Sequence, residues 1–375
     1  MAGIYLHIPF CHKACHYCDF HFSTSQNLKD DLVNALCMEI EMQKNYLERE
    51  TIDSIYLGGG TPSLLSSHHL QGLFDVVNKN FITNNPEVTL EANPDDLTKE
   101  NLAALKAVGI NRLSIGIQSF DDEILKFLNR THSSNDAFLC LERAREAGFD
   151  NINIDLIYAI PGQDSDLLKN NIKKAVAIAP EHISAYSLTI EERTVFGKQM
   201  KKGIFAIEPE EVAASQMEIL MNDLSTVGYD QYEISNFCKP GFYSRHNSSY
   251  WQQKKYLGIG PSAHSYNGLS RQSNISNNSL YVKSITQGKI PCQVEVLTTA
   301  NRINEYLFTT LRTVWGCDLK YLLKQFSYDL LKENQQALDT LLNHELVVIT
   351  NDILMLTQKG KLLADKIASD LFAAE

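Results

Sequence analysis

The chain has 375 residues, 44% hydrophobic and 21% charged, which suits about two globular domains of ordinary composition. Its formal net charge of −11 repels phosphates and excludes a general nucleic-acid binder. No apolar run approaches the roughly twenty residues of a membrane-spanning helix. The opening MAGIYLHIPFCHKAC also lacks a basic segment followed by a long apolar stretch, so the expected compartment is the cytoplasm.

Strand signals begin almost at once. Apolar, β-branched runs stand at Ile4–Ile8, Ile52–Leu57, Val88–Ala92, Arg112–Ile117, Ile152–Ile157 and Ile183–Leu188. Helical spacing fills the gaps, as in the stripe Leu28, Leu32, Leu36, Ile40 and the stripe Leu102, Leu105, Val108. Gly109 and Gly148 suit left-handed C-terminal caps. This alternation predicts an α/β chain with a parallel sheet. Polar residues sit at the ends of most strands, at Gly58–Thr61, Glu91, Asn93, Gln118, Asp155 and Thr189. Spread over many strand ends, they favour a partial (β/α) barrel of the TIM type over an open doubly wound sheet.

The alternation stops near residue 235. Residues 236–299, rich in Ser, Asn, Gln, Gly and Tyr, read as an irregular linking region. From residue 300 helical spacing returns at Leu307, Leu311 and Val314, at Leu319, Leu322 and Leu323, and at Leu338, Leu341 and Leu342. LVVIT and ILMLT, split by Asn351–Asp352, then signal a hairpin, so 300–375 is expected to be a winged-helix-like α+β module. With eight Lys/Arg against ten Asp/Glu, this module is not expected to bind DNA.

Three of the eight cysteines crowd into CHKACHYCDF, as Cys11, Cys15 and Cys18 in a Cys-x3-Cys-x2-Cys spacing after the first strand. The scattered Cys37, Cys140, Cys238, Cys292 and Cys317 read as inert reduced thiols. Thiolates suit iron–sulfur clusters and zinc. Three cysteines can ligate three irons of a cubane, leaving the fourth to a small molecule with an amine and a carboxylate. The competing assignment is structural zinc, with His12, His16 or His21 as fourth ligand. A structural zinc gains little at the functional rim of a barrel.

The triplet in this position resembles the radical SAM superfamily. The longer IYLHIPFCHKACHYCDF is similar to the branch holding oxygen-independent coproporphyrinogen dehydrogenase and the related heme chaperones. The resemblance implies a 4Fe–4S cluster on Cys11, Cys15 and Cys18 with S-adenosylmethionine (SAM) on its open iron. YLGGGTPS resembles the glycine-rich motif that contacts the methionine part of SAM, which points to Gly59, Gly60 and Thr61. Tyr5, Glu91, Gln118, Arg130 and Asp155 match further SAM positions. Physically, a carboxylate at Asp155, between Ile154 and Leu156, or at Glu91, after Leu90, is costly unless bonded to a ligand or an arginine. A structural salt bridge meets the same demand, and Arg130 alone also reads as an exposed helix arginine.

Two departures favour the chaperone side of the branch. Phe20 stands where the dehydrogenase carries a fourth cysteine, and SRHNSSYW matches an HNxxYW motif that the dehydrogenase lacks. The resemblance implicates His246 in heme binding. Tyr250 and Trp251 could pack on a porphyrin, and Arg245, Lys254 and Lys255 could meet its propionates. The competing assignment is a polar-capped loop anchored by a buried Trp251. The expected function is thus a heme chaperone that delivers heme to apo-forms of heme-requiring respiratory proteins. The alternatives are radical decarboxylation of a coproporphyrinogen and a structural zinc protein. A homodimer and peripheral membrane association stay open, and no nucleic-acid partner is expected.

Overall fold

The computed structural model describes residues 1–374. Six parallel strands form its centre: β1 (Ala2–Ile8), β2 (Ile52–Gly59), β3 (Thr83–Ala92), β4 (Arg112–Gln118), β5 (Ile152–Tyr158) and β6 (His182–Ser187). Helices α1 (Lys29–Met42), α2 (Ser67–Asn80) and α3 (Lys99–Ala107) connect the first four strands. The pair α4 (Asp122–Phe127) and α5 (Ser134–Glu146) leads from β4 to β5, and α6 (Ser165–Ile178) from β5 to β6. The predicted apolar stripes face inward. Leu32, Leu36 and Ile40 are fully buried, and Ile4, Leu6 and Ile8 lie beneath the helices at no exposure. Gly109 (φ +99°) and Gly148 (φ +80°) take the left-handed conformation expected of helix ends.

The sheet curls. β1 and β6 are five strand steps apart, about 24 Å in a flat sheet at roughly 4.8 Å per step. Yet His16, in the loop after β1, accepts a 3.0 Å hydrogen bond from the amide of Phe196, in α7 (Val195–Lys201) after β6. Asp19 likewise pairs with Arg193. The predicted partial barrel is therefore the observed one.

The expectation of an irregular 236–299 requires correction. Beyond α8 (Glu210–Thr226), β7 (Asp230–Glu233) and β8 (Asn236–Cys238) extend the sheet past β6. After α9 (Arg245–Trp251), β9 (Tyr256–Ile259) pairs parallel to β1. β10 (His264–Tyr266) and β11 (Ser270–Asn274) continue the sheet outward, followed by α10 (Asn278–Thr286) and the outermost strand, β12 (Cys292–Val296). A buried carboxylate ties this extension to the barrel. Glu39 of α1 accepts hydrogen bonds from Gly260 N (2.8 Å), Asn274 Nδ2 (2.7 Å) and the Tyr281 hydroxyl (2.5 Å).

The C-terminal module has its own apolar core around Leu307, Leu322, Leu338 and Leu354. It begins with α11 (Thr299–Leu311), and its small sheet comprises β13 (Cys317–Asp318), β14 (Val347–Thr350) and β15 (Ile353–Leu356). Asn351 and Asp352, both at positive φ, make the predicted tight hairpin between β14 and β15. Among the described residues no helix is long and apolar enough to cross a membrane.

Candidate functional site at the mouth of the barrel

The C-terminal ends of β1–β4 bring together most of the residues expected to act. The loop after β1 carries Cys11, Cys15 and Cys18, all free and half-buried. Burial raises the Cys11 thiol, and raises Cys18 to about 11. Each also feels its neighbouring thiols, so the three stand close to one another. Among the described residues no group of three or more His, Cys, Asp or Glu side chains is disposed around a single metal ion. A cubane asks for something else, because each thiolate takes a different iron.

Arg130 ties this loop to the barrel. It lies between α4 and α5 and is half-buried, which replaces the reading of an exposed helix arginine. Its guanidinium donates to Cys15 Sγ (3.3 Å), Asn93 Oδ1 (2.6 Å) and the Gly116 carbonyl (2.7 Å). Asn93 in turn donates to Thr61 Oγ1 (3.2 Å), and the Thr61 hydroxyl points to Cys11 Sγ at 3.5 Å. Two thiols thus receive donors from one connected polar chain. Such donors tune sulfur ligands of a cluster. Gln118, at the end of β4, takes φ +67° where the β4–β5 register shifts.

The glycine-rich turn closes on its own chain. Gly59, at φ +105°, packs against the His7 ring, which a Cβ would strike. A Cβ on Gly60 would stand 2.7 Å from the Ile8 carbonyl oxygen. The amide of Gly59 donates to Glu91 Oε2 (3.0 Å), that of Gly60 to the Ile8 carbonyl (2.9 Å) and that of Thr61 to the Phe10 carbonyl (2.7 Å). These glycines therefore let the turn after β2 seat against the cysteine loop.

Below the mouth, acidic groups face the barrel interior. Burial raises Glu91 to about 7, against hydrogen bonds from Tyr56 Oη (2.8 Å) and Gly59 N that act the other way. Burial raises Asp155 to about 6, opposed by the Asn153 amide (2.8 Å) and Arg112. Neither carboxylate has an arginine in direct contact, which disposes of the salt-bridge reading among the described residues. Both retain acceptor capacity for hydroxyl or ammonium donors. Tyr5 Oη lies 3.1 Å from His7 Nδ1.

His246 stands elsewhere. It is 1% exposed, next to Gly3 and Ser54 near the N-terminal ends of β1 and β2. Its Nδ1 lies 2.9 Å from Ser54 Oγ and its Nε2 2.8 Å from Tyr250 Oη, and its ring stacks on Tyr56 with centroids 4.9 Å apart. An iron ligand needs an available ring nitrogen, and this histidine has both engaged. Arg245 donates to the Asn85 carbonyl, Lys254 faces Asp53 at 3.9 Å, and Lys255 pairs with Glu48 and Glu50. HNSSYW lies in α9, a helix rather than a loop, with His246 buried and Trp251 only half-buried.

Known proteins resemble this arrangement. Residues 5–175 match the Radical SAM superfamily and residues 297–363 the HemN C-terminal domain. The chain is 38% identical over 372 residues to the heme chaperone HemW of Bacillus subtilis, covering 98% of each protein. The chain belongs to the HemW family of the radical SAM superfamily. The heme chaperone HemW of Mycobacterium tuberculosis is 34% identical, over 98% of this chain and 94% of that protein. The HemN coproporphyrinogen III oxidase of Escherichia coli, described as a radical SAM enzyme, superposes with a TM-score of 0.86 at 24% identity. That match covers 99% of this chain and 90% of that one, and it shows a common fold.

Proposed function

We propose that this chain binds heme and passes it to apo-forms of heme-requiring proteins, respiratory enzymes among them. The observation that carries this is the match over 98% of the chain to a protein named heme chaperone HemW. Phe20 supports it, since a phenylalanine follows the triplet where the dehydrogenase carries a fourth cysteine.

Cys11, Cys15 and Cys18 would hold a 4Fe–4S cluster, and the donor set fits one: three neighbouring thiols, two of them met by Arg130 and Thr61. Bound there, the cluster supplies an open iron for the amine and carboxylate of SAM. The chain's own residues do the rest. Arg130 holds Cys15 in place and adds positive charge beside the cluster. Glu91 and Asp155 would offer acceptors to SAM's ammonium and ribose donors, with Tyr5, Gln118 and Thr61 as the further residues that would hold it. Gly59 and Gly60 act by closing the turn behind it. When bound, SAM and the cluster would support or regulate heme transfer.

The test uses one anaerobically reconstituted sample. Added hemin should give a ligated Soret band and pass to a heme-requiring apo-protein, while coproporphyrinogen III with SAM and a reductant stays unconverted. Conversion to protoporphyrinogen IX, with stoichiometric 5′-deoxyadenosine and methionine, would make the chain a dehydrogenase instead.

A further inference from the structure

A cavity of about 590 Å³ opens between the cysteine loop, the β9–β11 extension and α11. That volume falls within the roughly 300–1,000 Å³ of small-molecule sites. Its walls are aromatic where β9 and β10 border it. Tyr250, Tyr256 and Tyr266 line it, with Tyr250 and Tyr256 packed edge to face at 4.5 Å. Trp251 also faces it, with an indole N–H that finds no partner among the described residues. Phe20, two residues past Cys18, is 74% exposed and projects into the same space. A large exposed aromatic beside an open cavity favours a flat apolar occupant.

Three histidines line this cavity, and they are not equivalent. His7 is held by the Tyr5 hydroxyl and the His21 carbonyl, so both its nitrogens are engaged. His21 Nε2 bonds Asn278 Oδ1 at 2.7 Å, which leaves only its Nδ1 without a hydrogen bond among the described residues. His264 is exposed, and its ring makes no hydrogen bond among the described residues. It begins β10, next to the turn that Glu39 holds through Gly260 and Asn274, so its backbone is fixed while its imidazole is free.

Two arginines line the cavity as well. Arg193 pairs with Asp19 and Arg271 with Glu305, the latter at 3.0 Å. Arg193 is 80% and Arg271 44% exposed, whereas their partners Asp19 and Glu305 are only 28% and 21% exposed. A guanidinium carries five N–H donors, so each arginine can meet a carboxylate on a ligand while keeping its own ion pair. The cavity thus combines aromatic walls, an imidazole with neither nitrogen engaged and two guanidinium groups with spare donors, which together match a planar, apolar ring with a metal at its centre and carboxylates at its edge.

Building on the heme-carrying reading above, we propose that this cavity is the heme site, with His264 ligating the iron and Arg193 and Arg271 receiving the propionates. His246 then supports the site through Tyr250, which bonds it on one side and lines the cavity on the other.

The experiment is a hemin titration of cluster-reconstituted full-length protein, so that free thiols do not compete. His264→Ala should weaken hemin binding by about tenfold or more and shift the Soret band, since even outer-shell partners of metal ligands act on that scale. His264→Met should instead move the spectrum toward a sulfur-ligated iron, which a merely structural residue would not do. Hemin dimethyl ester should bind Arg193→Ala and Arg271→Ala as well as it binds the parent, whereas hemin binds these variants less tightly. Iron content and circular dichroism confirm that each variant is folded. Folded His264→Ala with an unchanged Soret band and affinity overturns the assignment and leaves the heme-carrying reading intact. A parent protein that binds no hemin refutes that reading itself, and this site with it.

Discussion

Glu91 offers the sharpest test of how the barrel interior is built. Its carboxyl is raised to about 7 from an ordinary 4.5, chiefly by burial. A raised carboxyl stays protonated in the folded state after the unfolded chain has lost its proton. Stability therefore falls as pH rises from about 4.5 to about 7, and the loss is complete above that. At about 1.4 kcal/mol per pH unit, the structure loses at most about 3.5 kcal/mol to this one group. Glu91→Gln removes the charge and keeps the shape. Gly59 N can still donate to the amide oxygen, and the Tyr56 hydroxyl can turn to accept from the amide nitrogen. The assay is urea unfolding of cluster-free parent and variant at pH 5, 6, 7 and 8. The stability difference should move in favour of Gln by up to about 3 kcal/mol across that range, then level off. Parallel curves would refute the argument, since they would mean that Glu91 titrates as a solvated carboxylate.

Three further predictions follow from neighbouring groups. Replacing Cys11, Cys15 and Cys18 together with Ala should abolish the four irons and four sulfides per chain expected after anaerobic reconstitution; a variant that keeps its brown colour would remove these residues from the cluster. Arg130→Ala leaves Asn93 Oδ1 and the Gly116 carbonyl without their donor, so it should cost roughly 2–4 kcal/mol in urea unfolding and lower the iron retained; an unchanged midpoint and iron content would show that the guanidinium anchors nothing. Burial lowers His7 and His132 to about 4 and His246 to about 3, so the unfolded chain takes up protons below pH 6.5 that the folded chain refuses. Stability should therefore drop as pH falls from about 6.5 toward 4, and His246→Gln should flatten that drop; an equally steep loss in the variant would mean that His246 is solvated.

Local sequence was enough for the parts of this protein that are locally encoded. The β/α alternation through residue 188 was legible because each apolar strand and each amphipathic helix shows its period in its own residues. The hairpin at 347–356 was legible because Asn351–Asp352 can take positive φ. The cysteine triplet was legible because its chemistry lies in residue type and short spacing. Residues 236–299 looked irregular because their strands are only three to five residues long, too short to stand out from the polar loops between them. What makes them strands is the free edge of β1, which β9 joins from 250 residues away in the chain, and the buried Glu39 that holds the turn beyond it. Tertiary structure likewise decided the side chains whose roles depend on distant partners. It sent Arg130 across to Cys15, buried His246 against Ser54, and left His264 free on a cavity wall. A histidine carries no mark in the sequence of which of its nitrogens will be occupied, because that depends on atoms that folding alone brings within hydrogen-bond reach.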